Sequence, residues 1–333
     1  MRFLFSTFGF AALAAARART SAPPGALTVG PSGTYSTIQD AVDALDTSST
    51  KTQSIFIEPG TYEEQVVISV LDGPLIIYGY TEDTSSYAAN VVTITASHAL
   101  ADTGSDDAAG TLRVETTNGF MLFNVNARNS YGHTASNGQA LALAANKGNQ
   151  GYYGCAFYGW QDTVLAQAGK QVYGKCYFEG VTDFIYGQHA LAWFDRCDIR
   201  VLKAKIGYIT ASGRASDTDS YYVFNRATIA AAADNVVTSG SFYLGRPWRN
   251  YARVAFQFTT MTDVINGAGW HVWKKTDPRT DHVTLAEFNN TGVGSKGTRA
   301  PFSEMLPKAI AIEDILGIDY KDQTTFVDTT YLS

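Results

Sequence analysis

Apolar residues along the chain fall in short runs, at 54–57, 66–70, 75–78, 91–94, 120–125, 191–194 and 221–224, divided by clusters of Gly, Asn, Asp and Ser. Runs this short, punctuated by turn residues and with few helical periodicities, predict strands. The middle of the chain adds a register. Cys155, Cys176 and Cys197 are spaced by 21 residues; Tyr152, Tyr173 and Phe194 lie three before each, and Phe157, Phe178 and Ile199 two after. Phe224-Asn225-Arg226-Ala227-Thr228-Ile229 repeats the pattern with Ala in the cysteine slot, and Leu122-Phe123-Asn124-Val125-Asn126-Ala127 is a weaker earlier copy. A period near 20 residues points to stacked coils. The Leu ladder and Asn spine of leucine-rich repeats are missing. The expectation is therefore an all-β, single-stranded parallel β-helix, with equivalent residues of successive coils about 4.8 Å apart.

Short capping helices complete this picture. Ser36-Thr37-Ile38-Gln39 has the form of a capping box, and Ile38, Val42 and Leu45 mark one apolar stripe. A helix over 36–45 would cover the open coil edges at the N-terminal end. Residues 301–306 and 312–316 read as short helices near the other end. No linker intervenes, so one domain is expected over 19–333. Residues 1–18 stand apart. Met1-Arg2 is a short positive start, 3–16 is an apolar run interrupted by Ser and Thr, and Ala16-Arg17-Ala18 fits a small-x-small cleavage site. This predicts a secretory signal peptide, too short for a membrane span, and hence a soluble, exported protein with no membrane partner.

Composition narrows the classes further. With 45% hydrophobic and 17% charged residues among 333, the chain has ample material for a core. A typical domain size would divide that length in two, but a solenoid core grows along one axis and escapes the estimate. The 31 acidic residues exceed the 25 Lys and Arg, for a net charge of −6, and no basic run occurs, which argues against a nucleic-acid partner. The five histidines form no metal-binding spacing. No Gly-x-Ser-x-Gly elbow is present, which disfavours a serine esterase. No cofactor is implied.

The register carries two aspartates with it. Gly159-Trp160-Gln161-Asp162-Thr163 lies over Gly180-Val181-Thr182-Asp183-Phe184, so Asp162 and Asp183 are again 21 apart. Stacked on successive coils, their carboxylates would approach to about 5 Å. Two carboxylates that close cannot both ionise cheaply, which separates a proton-bearing acid from an ionised base or nucleophile. Gln161 adds an amide donor, and Gln139 lies 22 residues earlier, near the same slot one coil up. Two amides beside two carboxylates suit an oxyanion site with an acid/base pair. The plainer alternative is that the aspartates cap turns between coils.

Gly60-Thr61-Tyr62-Glu63-Glu64, Gly138-Gln139-Ala140-Leu141-Ala142-Leu143, Gln161-Asp162-Thr163, Asp183-Phe184-Ile185-Tyr186-Gly187 and Leu244-Gly245-Arg246-Pro247-Trp248 occur in this order. With Gly269-Trp270-His271-Val272-Trp273 and Ala286-Glu287-Phe288-Asn289-Asn290-Thr291-Gly292, the chain resembles the pectin methylesterases (pectinesterases) over roughly 26–325, in their fungal or bacterial form. The resemblance implies a right-handed parallel β-helix and a carboxylic-ester hydrolase that demethylates pectin. It implies that Asp183 is the nucleophile, Asp162 the general acid and then base, and Gln161 with Gln139 the oxyanion donors. Arg246 would bind Asp183 and keep it ionised, lowering its pKa. Trp248, Tyr186, Thr111 and Thr182 would contact the substrate. Tyr186 stands where the motif commonly has Phe, and its hydroxyl is expected to reach the sugar.

For the cysteines, stacking permits both Cys155–Cys176 and Cys176–Cys197, so the register cannot choose. The resemblance leans to Cys176–Cys197, with buried free thiols as the alternative. Asn289-Asn290-Thr291 is a glycosylation sequon. Asp106-Asp107 has the form of a polygalacturonase-like acid pair but reads as a solvated turn, Trp270 reads as core, and Trp248 reads as groove. Clustered carboxylates for calcium, as a pectate lyase would want, are not apparent. The net negative charge favours densely methylated pectin, so activity should fall as methylation falls. A monomer is expected. The competing expectations are a catalytically silent β-helix that binds polygalacturonan, and a pectin depolymerase.

Overall fold

A computed structural model describes residues 17–136 and 138–333; most of the expected leader, residues 1–16, lies outside them. The strands assemble into three parallel sheets of 11, eight and seven strands, each built from strands far apart in sequence. One coil shows the plan. Gln150–Tyr153 lies in the long sheet, Ala156–Tyr158 in the second and Val164–Ala166 in the third, and the chain then returns to the long sheet at Ala168–Gly174. The expected parallel β-helix is present.

The register read from the cysteines is the observed one. Tyr152 pairs with Tyr173 and Tyr173 with Phe194 in the long sheet, while Phe157 pairs with Phe178 and Phe178 with Ile199 in the second. Because each coil repeats the last, side chains of one slot meet face to face. Tyr152, Tyr173, Phe194, Phe224 and Phe256 form a continuous ring stack with centroids 4.9, 4.5, 4.3 and 4.3 Å apart. That spacing lies close to the strand separation, so the backbone imposes the stack and burial of the rings stabilises it. From Asn124 onward, the backbone at the corner between the long and second sheets turns through the left-handed region once per coil, at Asn124, Gly154, Lys175, Arg196, Arg226, Phe258 and Asn289. The recurring conformation is demanded by the corner rather than by the residue, since Lys, Arg and Phe rarely choose it.

Each cysteine follows that corner. The sulfurs do not bridge: Cys155, Cys176 and Cys197 are buried free thiols, and the expected Cys176–Cys197 disulfide is not formed. Each Sγ instead donates to a carbonyl of the preceding coil, at Leu122 (3.3 Å), Tyr152 (3.2 Å) and Tyr173 (3.2 Å). The thiol donors are thus satisfied along the stack, and burial raises the Cys176 thiol far above its ordinary pKa.

The N-terminal cap is the helix Ile38–Asp43, shorter than expected, with Thr37 rather than Ser36 at the N-cap. The Glu64 carboxylate accepts from the Ile38 and Gln39 amides at 2.8 and 2.9 Å, closing donors that the helix leaves open. Ile38, Val42 and Leu45 are buried as the stripe required. At the far end, residues 301–306 are not helical. Glu304–Met305 pairs with Ala286 and Glu287 and extends the long sheet, whose last edge offers unpaired backbone groups. The helix Glu313–Leu316 is present and, with Phe326, Val327 and Tyr331, covers the outer face of that sheet. No helix among the described residues is long and apolar enough to cross a membrane.

Candidate active site

The turn that enters the third sheet places both aspartates. Asp162 and Asp183 adopt φ of 60° and 50° on successive coils, a conformation Asp tolerates better than most residues. The Asp162 amide donates to the Thr182 carbonyl at 3.0 Å, which stacks the turns in the expected register. Both side chains face one cavity of about 260 Å³ on the outside of the third sheet. Gln139, Gln161, Tyr186, Arg246 and Trp248 line it too, joined by Asp106, Ala211 and Trp273.

Arg246 follows the strand Phe242–Gly245, two coils beyond Asp183 along the third sheet. Its guanidinium grips the Asp183 carboxylate with two parallel bonds, Nε at 2.9 Å and Nη2 at 2.6 Å. Aromatic rings hold it there, with its central carbon 4.1 Å from the Tyr208 centroid and 4.3 Å from that of Trp273. A planar fork stacked on rings is what Arg supplies and Lys does not. Trp248 lies 6.1 Å from Tyr186, and a Cβ on Gly213 would come within 2.3 Å of its ring. The glycine therefore makes room for the indole.

The electrostatics divide the pair. Burial, then the neighbouring charges of Asp183 and Asp106, push the Asp162 carboxyl well above the usual carboxylate range. Asp183 is also raised, because burial outweighs the opposing bonds from Arg246. The expected lowering of its pKa is not found, yet Arg246 restrains the rise. Of the two, Asp162 is pushed further toward the protonated form, and the Arg246 pair favours the charge on Asp183. The Gln139 Oε1 is buried without a hydrogen-bond partner in the wall of this cavity.

Two expected substrate contacts are not in the cavity. Thr111 is fully buried, and its hydroxyl donates to the Arg128 carbonyl at 3.0 Å. The side chain of Thr182 is not part of the lining; its main chain positions Asp162. The Tyr186 hydroxyl does not stand free for a sugar, since it donates to the Asp106 carboxylate at 3.5 Å. Asp106 is thus no solvated turn. Its loop leaves the second sheet after Val92–Ala96 and folds back over the third, where the Leu100 amide donates to the Gln139 carbonyl at 2.9 Å. No repeat spacing links Asp106 to Asp162, so the register gave no signal for it. Trp273 lay in a matched motif, but nothing in the spacing assigned it a place. Trp270 is core, at 1% exposure. Asn289 is exposed on a corner of the coil.

Comparison with known proteins identifies the family. A family model described as Pectinesterase matches residues 27–303. A pectinesterase from Aspergillus niger is 52% identical over 97% of both chains, and one from Aspergillus aculeatus 53% identical over 97% of both. The crystal structure of a deglycosylated pectin methylesterase from Aspergillus niger superposes with a TM-score of 0.85 at 42% identity, covering 92% of this chain and 98% of that one. Pectin methylesterase from carrot superposes with a TM-score of 0.81 at 26% identity, covering 92% and 98%. The matched span contains the stacked coils, both aspartates and the arginine loop, and the chain belongs to the pectinesterase family.

Proposed function

We propose that the cavity around Asp162 and Asp183 is where this pectinesterase hydrolyses the methyl esters of galacturonate in pectin. The observation that carries the assignment is the two-bond grip of Arg246 on Asp183, beside a second carboxyl that burial shifts toward its protonated form.

In the first half-reaction the Asp183 carboxylate attacks the ester carbonyl. The Gln161 and Gln139 amides donate to the developing oxyanion, and Asp162 gives its proton to the departing methoxy oxygen. Methanol leaves and an anhydride joins Asp183 to the galacturonyl carbon. In the second half the Asp162 carboxylate takes a proton from water, whose oxygen attacks the galacturonyl carbonyl. Collapse frees the acid product, returns the electron pair to Asp183 and leaves Asp162 protonated. Each oxyanion donor is worth roughly 2.7–4 kcal/mol, by analogy with protease oxyanion holes. Trp248 and Tyr186 give the sugar an aromatic wall.

The test is methanol release from highly methylated pectin, wild type beside Asp183→Asn, with viscosity followed in parallel. Release by wild type alone, with viscosity kept, is the expected result. A folded wild type releasing no methanol would favour a polygalacturonan-binding module, and new reducing ends with a viscosity collapse a depolymerase. The N-terminal pattern at 1–18 and the exposed sequon at Asn289 support export and glycosylation. Both are checked by the N-terminal sequence and mass of the protein recovered from medium. The covered coil ends support a monomer, which light scattering tests.

A further inference from the structure

Three carboxyl groups line the cavity, and the proposed mechanism uses two. Asp183 is paired with Arg246, and in that mechanism Asp162 holds a proton before each turnover, in line with the rise that burial gives its carboxyl. Among the described residues no cation pairs with Asp106; its side-chain partner is the Tyr186 hydroxyl at 3.5 Å. Asp106 therefore sets the net charge of the resting cavity. The reaction changes the charge of its own substrate, because the unit enters as a neutral ester and leaves as a carboxylate.

We propose that Asp106 is a specificity-determining residue, whose carboxylate, seated on the Tyr186 hydroxyl, disfavours a free galacturonate carboxylate in the cavity while accepting the neutral methyl ester. It acts in two places. It reduces occupancy of the site by stretches already demethylated, and it hastens departure of the unit just hydrolysed. Its position is built rather than accidental. Tyr186 belongs to the strand that carries Asp183, and the loop bearing Asp106 is fastened to the Gln139 coil through the Leu100 amide. Burial raises the Asp106 carboxyl above the ordinary carboxylate value, and the Tyr186 hydrogen bond, which favours the ionised form, offsets only part of that rise. A charge a few ångströms from the product carboxylate, partly screened by water, corresponds to roughly a fivefold to tenfold effect on binding.

The inference rests on the cavity being the ester-hydrolysing site. The experiment measures KM for highly methylated pectin by methanol release, and Ki for unesterified polygalacturonate as inhibitor, near pH 7. Asp106→Asn is expected to lower Ki relative to KM by about fivefold to tenfold. Asp106→Glu, which keeps the charge, is expected to retain the wild-type ratio. Asp106→Ser takes the place of the Asn variant should that one fail to fold. An unchanged ratio in a folded, uncharged variant overturns the proposal and leaves the site assignment standing. A wild type that releases no methanol overturns the assignment and the proposal with it.

Discussion

Asp162 and Asp183 share an unusual backbone conformation, with φ of 60° and 50°, and a nearly common burial. In the proposed mechanism, what separates their roles is one neighbour, Arg246. Removing it as Arg246→Met leaves Asp183 buried without its counter-charge, so its carboxyl titrates higher. The acid limb of the kcat/KM profile should then move to higher pH, and kcat/KM should fall about 100-fold or more. A profile that keeps its acid limb would place the charge on another group. Asp162 yields a prediction of opposite sense for stability. Its folded pKa lies well above the ordinary unfolded value of about 3.9. The folded state therefore holds a proton that the unfolded chain releases, and stability declines as pH rises from about 4 through the folded pKa. Asp162→Asn removes that dependence. The variant should melt above wild type at neutral pH, with the gap closing near pH 4, while methanol release is lost. The carboxylate pair was legible because a strict spacing of 21 puts both residues in one slot. Thr111 misled because motif position does not reveal which face of a strand a hydroxyl occupies.

At the scale of the element, coil stacking determines both packing and thiol chemistry. Phe194 lies between Tyr173 and Phe224, 4.5 and 4.3 Å away in the ring stack. Phe194→Ala opens a gap that the rigid coil spacing cannot close, so urea unfolding should report a loss of about 3–5 kcal/mol. A loss under 1 kcal/mol would mean the neighbours collapse into the space. The cysteine ladder is checked by thiol counting without reductant. The native protein should resist labelling, and the unfolded chain should show three thiols; a single thiol would restore a disulfide. Periodicity revealed the strands, since each coil must return an apolar side chain to the same slot. Residues 301–306 were expected to be helical, but the open edge of the long sheet recruited a strand at Glu304–Met305 instead.

Across the whole molecule the charge is −6, and the substrate gains a negative charge for each ester removed. Initial rates at equal chain concentration should therefore fall as pectin is progressively demethylated, more steeply at low salt than at high salt. Equal rates on sparsely and densely methylated chains would sink this prediction. The sequence by itself determined the stacked architecture, the coil register and the pairing of Asp162 with Asp183, because a fixed repeat turns residue spacing into spatial proximity. It also carried Gln139, Gln161, Arg246 and Trp248 through recognisable motifs. Only the tertiary structure decided that the thiols remain free, that Thr111 is buried and that Asp106 enters the cavity. Those outcomes depend on where a side chain points within a coil and on how a loop outside the repeat folds back, and neither is encoded in a period.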